Sequence, residues 1–418
     1  MKKRLADCAV WQQWGFYLVL EMAATAYLST GAVSVGIAAS SLGFLGQRYF
    51  TGNWPHFDKK IASVIGIYIA VNYLIAVLSI APGVSLRQVG SDVYRFFPFF
   101  FAAAYVRTRK QLWQVLLAFG VSVFFNNLVA LSQFFGGLQN ADVQAGKTWM
   151  HIHGLISSST FFSSLLLLSL PVSCLGFTRR EFPRYGRSFF AGLFAFSCIL
   201  LILCRSRGGW VAFAGTLFIA FFMDARLRKA CLKIAAAIAC AFAVLATIIY
   251  PSFMLRLSSI ADTTKNESNL QRIWMWQASV DIWEDYPIHG TGQDTFGLVY
   301  TKDSKYIRPK AIPFGNPHNN FFKALSESGI VGVMASFCLH AYFVYRLWRL
   351  HRLQRGNTRM TFGVAGILML SAIVLGGLTD TTMNQHTIMR TYWLLLGTMF
   401  AGAYMEAGKD TSGRDRLC

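Results

Sequence analysis

Arg205-Ser206-Arg207-Gly208-Gly209-Trp210 lies between two apolar runs, Ser188–Cys204 and Val211–Met223. Each run is long enough to form much of a membrane helix. Two arginines at the joint between such helices are costly unless an anion comes to them. Residues two apart on an α-helix point about 200° away from each other. Both arginines can therefore face one ligand only if the helix breaks, and Gly208-Gly209 is the expected break. The stretch reads as an anion site at a membrane surface. The plainer alternative is a loop anchor whose arginines snorkel to lipid phosphates.

Working outward, the composition agrees with a membrane protein. Of 418 residues, 54% are hydrophobic and 14% charged. The apolar residues fall in blocks of about 20, the length that crosses a bilayer. An all-α membrane bundle of about twelve spans is expected: 12–29, 31–46, 61–80, 92–106, 112–135, 154–177, 188–204, 209–223, 230–250, 324–346, 360–378 and 390–406. The first run lacks a clear small-residue cleavage site and reads as a retained helix.

Charge orients the bundle. With Lys2, Lys3 and Arg4 inside, every second connection is cytoplasmic, and these segments with both termini hold 25 of the 39 Lys and Arg. That follows the positive-inside rule and accounts for most of the +20 net charge. A pI of about 9.8 raises the question of nucleic acid. The charges are instead spread over short loops, and no zinc finger, RNA-recognition motif or basic helix is present.

Three regions result: helices over 1–250, a long polar loop over 251–323 on the outer side, and helices with a tail over 324–418. The loop shares its side with Arg205 and Arg207. It contains none of the eight cysteines, so no disulfide staples it, and it should be held by packing on the membrane helices. No Cys-x-x-Cys or His/Cys cluster marks a metal site; His151 and His153 lack a third ligand nearby. Its first half predicts an amphipathic helix that opens with a capping box, Ser268 to Gln271. Arg272, Trp276, Ser279 and Trp283 share one face. Pro287 ends the helix, and Gly290 and Gly292 loosen the turn after it. Asp281, Glu284 and Asp285 suit a solvated helix face better than a glycosidase pair.

The loop closes on Asn316-Pro317-His318-Asn319-Asn320, directly before a membrane helix. Asn316 as N-cap and Pro317 as first helical residue would set His318 in the first turn. There the helix dipole favours a neutral ring, and a neutral imidazole can act as a general base. Asn319 and Asn320 either orient a substrate or continue the cap. Asp380 and His386 fall on the last outer connection, where they can support His318 or meet a substrate. Glu21 and Arg95 lie inside spans and read equally as structural partners or substrate contacts.

These residues resemble the O-antigen ligase and polymerase superfamily of inner-membrane glycosyltransferases. The resemblance is carried by Arg205-Ser206-Arg207-Gly208; by Arg272 with Trp276, Ala278, Pro287, Gly290 and Gly292; and by Pro317-His318-Asn319 with Gly329 and Gly332. They occur in family order, and a single large late loop is similar to the ligase branch. The resemblance implies a bacterial inner-membrane protein with both termini cytoplasmic and its site facing the periplasm. It implies an undecaprenyl-pyrophosphate glycan donor and a lipid A–core acceptor, with no cofactor. Arg205, Arg207 and Arg272 would hold the pyrophosphate oxygens and steady the leaving group. His318 would take the proton from the attacking sugar hydroxyl, with Trp276, Asn319, Asn320, Asp380 and His386 in support. Direct displacement inverts the anomeric carbon.

Related readings within the superfamily are an O-antigen polymerase and a protein O-oligosaccharyltransferase. No Asp-x-Asp supports a metal-bound sugar nucleotide. A lipid-glycan transporter is the reading from another class. Transporters show matched halves and a site near the midplane, whereas here the distinctive polar groups gather at one outer edge.

Overall fold

The computed structural model describes residues 7–139, 152–249, 267–308, 311–312, 314–354 and 360–408. His151, residues 251–266 and 355–359 and the basic residues of both termini lie outside them. Within the described residues the chain is all-α, with fourteen α-helices, one 3-10 turn at Thr382–Asn384 and no strand. In chain order these are α1 Cys8–Thr25, α2 Thr30–Thr51, α3 Lys59–Val77, α4 Pro82–Tyr105, α5 Arg109–Leu138, α6 Ser159–Thr178 and α7 Arg184–Leu203. They continue as α8 Arg207–Met223, α9 Ala225–Ile249, α10 Glu267–Asp285, α11 Phe296–Lys302, α12 Asn320–Leu353, α13 Phe362–Gly376 and α14 His386–Glu406.

Every apolar block of the sequence falls on one of these helices. Five of them, α3, α5, α6, α7 and α12, are long and apolar enough to cross a membrane; α8 and α13 are apolar but shorter. Short polar residues set many of the starts. Asp58, Ser158 and Thr361 each accept a hydrogen bond from the first turn, and Thr108 forms a capping box with Gln111. The block expected at 92–106 begins earlier, at Pro82, because proline is favoured in a first helical turn.

The innermost helices are α6, α13 and α14, with Trp393, Tyr392 and Phe400 of α14 fully buried. α14 packs along α4, while α6 packs on α7 and α13. Glycines permit close approach: Gly397 meets the Phe99 backbone and Gly363 meets the Leu347 carbonyl. On the outside, Val35, Leu42, Ile67, Phe125, Phe218 and Phe337 are exposed, a surface suited to lipid. Glu21 and Arg95 have separate partners. Glu21 bonds Thr25 and packs on Gly36, whereas Arg95 pairs with Asp92 at 2.9 Å and with His386.

The loop carries a small core of its own, made by Met275, Ala278, Ile282, Phe296, Tyr300 and Tyr306. It is therefore not held by the membrane helices alone. Asp281 pairs with Arg308 at 2.6 Å, and Asp285 takes Lys305 and Tyr306 at 2.5 Å each. Those two hydrogen bonds hold the Asp285 carboxyl below the ordinary carboxylate range. The acidic face is thus stapled to the second half of the loop. The Ser268–Gln271 box does not form in the expected place: Ser268 is already inside α10, and Gln271 accepts from the Ile312 N–H at 2.8 Å. After α10, residues 287–292 run beside a kink in α12 at Gly329. Ile330 and Val331 donate to Pro287 and Ile288, and Gly292 donates to Glu327. Gly329 has φ 58°, and a side chain there would meet the Ile288 carbonyl and the Gly290 nitrogen.

Candidate active site

The arginine stretch breaks the helix, but one turn earlier than expected. α7 ends at Leu203, Arg205 takes φ 56°, and Ser206 caps α8 by accepting from Gly209. Gly208 and Gly209 are helical and buried, and they serve close packing. A side chain at Gly208 would collide with Thr379, and one at Gly209 with Ser163. Ser163 donates to Ser206 at 2.9 Å, and the Trp210 indole donates to the Leu201 carbonyl at 2.7 Å. The Thr379 contact sets the first turn of α8 against the connection between α13 and α14, and the Ser163 and Leu201 bonds tie it to α6 and α7.

His318 is brought to the same connection from the other side. It precedes the helix and does not sit in its first turn: Asn319 is the N-cap of α12, accepting from Phe321 and Phe322. The cap falls three residues later than expected because the Asn316 side chain folds the chain into a turn. It accepts from the His318 N–H at 3.0 Å and from Thr381 at 3.2 Å. His318 then adopts φ 48°. Asn319 donates to the Leu378 carbonyl at 2.7 Å, and Asn320 donates from its backbone to Gly377 and from its side chain to Thr382. Both asparagines fix the helix start.

The imidazole Nδ1 lies 3.1 Å from Asp380 Oδ1. A carboxylate only accepts, so Nδ1 carries a hydrogen, and in a neutral ring Nε2 then holds the lone pair. Asp380 is buried to 4% exposure, while the His318 side chain remains 32% exposed and reachable. Asp380 thus bonds His318. His386 does not: its ring bonds Arg95 at 3.2 Å, at the start of α14.

α10 supplies the third arginine. The Trp276 indole donates to the Pro317 carbonyl at 2.9 Å and its ring stacks on Phe322 at 5.3 Å. This clamps α10 to the His318 turn one helical turn from Arg272. Arg272 is mostly buried. Burial lowers its pKa, opposed by the charge of Asp380. Arg272 therefore shares the electrostatic environment of Asp380. Two helix N-termini, of α8 and α12, border the Gly377–Asp380 turn, and each carries the positive end of a helix dipole.

Sequence reasoning missed Thr379 and Thr381 and gave Asn316 the role of helix cap in place of a turn, since these roles depend on contacts across more than 60 residues. Asn316 alone carried a local signal, an Asn before Pro that commonly starts a turn. It also missed Lys323 and Glu327, bonded at 2.7 Å on the first turns of α12. Among the described residues no group of three or more His, Cys, Asp or Glu is arranged to hold a metal. No curated protein matched the chain. Residues 192–337 match the family model described as O-antigen ligase, a segment that holds Arg205, Arg207, Arg272 and His318 and stops short of Asp380.

Proposed function

With residues 192–337 supporting its place in the O-antigen ligase and polymerase superfamily, we propose that this chain is an O-antigen ligase. It transfers a glycan from undecaprenyl pyrophosphate to a sugar hydroxyl of lipid A–core. The observation that carries the reading is the convergence on one turn, Gly377–Asp380, of the Arg205–Arg207 turn, the α10 clamp and the His318–Asp380 pair.

His318 Nε2 takes the proton of the acceptor hydroxyl as its oxygen attacks the anomeric carbon. The bond from that carbon to the pyrophosphate oxygen breaks, and its electron pair leaves on undecaprenyl pyrophosphate. Attack opposite the leaving group inverts the centre. Arg205, Arg207 and Arg272 pair with the phosphate oxygens and stabilise the charge that grows there. The donor is already activated, so neither nucleotide nor metal takes part. Asp380 holds the imidazole in the useful tautomer and favours the imidazolium that forms.

Twelve helices span the inner membrane in this reading. The site faces the periplasm, and both termini face the cytoplasm. The basic connections and the site lie at opposite ends of the helices, consistent with that orientation. Asp58 with Arg346 and Tyr404, and Arg179 with Glu406, brace the basic end.

The test offers one defined lipid-pyrophosphate glycan, in detergent, to lipid A–core, to a second glycan lipid and to a protein. Product on lipid A–core alone supports the ligase. Product on the glycan lipid or the protein would make it a polymerase or a protein transferase. No joining in detergent, with movement across vesicles, would make it a transporter.

A further inference from the structure

A cavity of about 370 Å³ runs beside α12 on the side bounded by α3, α4 and α14. Neither His318 nor any of the three arginines lines it. Its wall follows α12 from Asn320 to His340, which is about 30 Å of helix at 1.5 Å per residue. The inner part is mostly apolar, walled by Val333, Phe337, Leu339 and Val374, with Ser336 and His340 as its polar members. The outer part is polar and built from Asn72, Gln88, Asp92, Gln293 and Lys323.

The hydrogen bonds at the polar end identify what it would bind. Asn72 donates to the Tyr68 carbonyl at 2.8 Å, which fixes its amide. Its oxygen then receives Gln293 Nε2 at 2.9 Å, which fixes the second amide. Gln293 Oε1 is left buried with no partner, in a side chain whose residue is only 7% exposed. A buried acceptor of this kind calls for a donor. The cations nearby are matched: Arg95 to Asp92 at 2.9 Å, and Lys323 to Glu327 at 2.7 Å. Asp92 also takes Gln88 at 3.0 Å, at the same oxygen that meets Arg95, and its side chain is 39% exposed. The polar end therefore offers acceptors and no unmatched cation among the described residues. Phosphate, which brings acceptors and negative charge, is the wrong complement. Sugar hydroxyls, which bring donors, are the right one.

We propose that this cavity binds a glycolipid, its sugar hydroxyls at Gln293 and Asp92 and its hydrocarbon in the shaft, as the docking site of the lipid-anchored acceptor. The role as acceptor site rests on the ligase reading; the ligand class does not. Asn320 lines the same cavity two residues after His318, so a glycan seated on Gln293 and Asp92 extends along α12 toward the base.

The test uses the full chain in phosphatidylcholine nanodiscs and two photoreactive probes of equal chain length, dodecyl glucoside and dodecyl phosphate, each with a diazirine on the chain. The glucoside is expected to label α12 between Asn320 and His340, with labelling lowered about fivefold by Gln293→Leu, the loss of one hydrogen bond. Val333→Trp, which narrows the shaft, should lower labelling by the dodecyl probe and spare a butyl glucoside. Equal labelling of α12 by the phosphate probe, or glucoside labelling unaffected by both substitutions, overturns the site. In the transfer assay, Gln293→Leu should raise the acceptor KM about fivefold and leave donor binding unchanged. If no acceptor is ever joined to donor, the ligase reading falls, while the labelling result still decides the glycolipid site.

Discussion

A non-glycine residue in the left-handed region costs on the order of 1 kcal/mol. Only three among the described residues adopt it: Arg205, Asp294 and His318. Two of them are proposed to act on substrate, and the strain is held by neighbours, Asn316 and Asp380 for His318. His318→Ala should leave the protein folded and donor-binding while cutting single-turnover transfer about 10²–10⁴-fold. His318→Gln should fail as badly. Wild-type rates from both variants would leave His318 as a turn residue and the mechanism without a base. Asp380→Asn should lose about tenfold or more with donor binding intact, because the amide no longer demands a hydrogen on Nδ1. Arg207→Lys keeps charge but loses the planar fork, so its rate should fall about a hundredfold. Near-normal Lys variants at Arg205, Arg207 and Arg272 together would mean that charge alone suffices. Turnover should persist in a chelator if, as proposed, the arginines carry the leaving-group charge; loss restored by a divalent cation would contradict that assignment.

At the scale of elements, Gly208 links the arginine turn to the His318–Asp380 pair through Thr379. A side chain there collides with Thr379, the neighbour of Asp380. Gly208→Ala should therefore lower transfer at unchanged expression, and Thr379→Gly should recover part of the loss in the double variant. Additive losses would show that the two residues do not communicate. Helices were legible in the sequence because blocks of bilayer length announce themselves, and each block fell on a helix. Their ends were less so. The break at 204–206 and the late cap at Asn319 are set by hydrogen bonds to residues far along the chain, Ser163 and Leu378. Such contacts leave no local pattern. The same holds for the site: its residue types and order could be read, but the pairing of His318 with Asp380 in preference to His386 could not. Both candidates lay on one connection, and only packing sent His386 to Arg95. The glycines at 290 and 329 were legible as motif letters. Their reason, a backbone lying against the kink of α12, appears only in three dimensions.

Across the whole molecule, the arrangement requires that the loop and the basic connections face opposite compartments. Glu284 is exposed on α10, beside the site, and Lys229 is exposed on α9, near the other end. With the eight native cysteines replaced, a cysteine at each position reports its side to a membrane-impermeant thiol reagent. Glu284→Cys should label in cells whose outer membrane is permeabilised and whose inner membrane is intact. Lys229→Cys should label only after the inner membrane is opened. The motive is the positive-inside distribution, since carrying the Lys/Arg-rich connections outward is costly during insertion. The chemistry adds a second constraint. In the ligase reading a lipid-pyrophosphate donor and a lipid A–core acceptor must meet in the same leaflet as His318, which makes the side of Glu284 the side of the reaction. Labelling of Lys229→Cys in intact cells, with Glu284→Cys protected, would place the arginines and His318 in the cytoplasm. The ligase assignment would then fail on compartment, whatever the individual variants do.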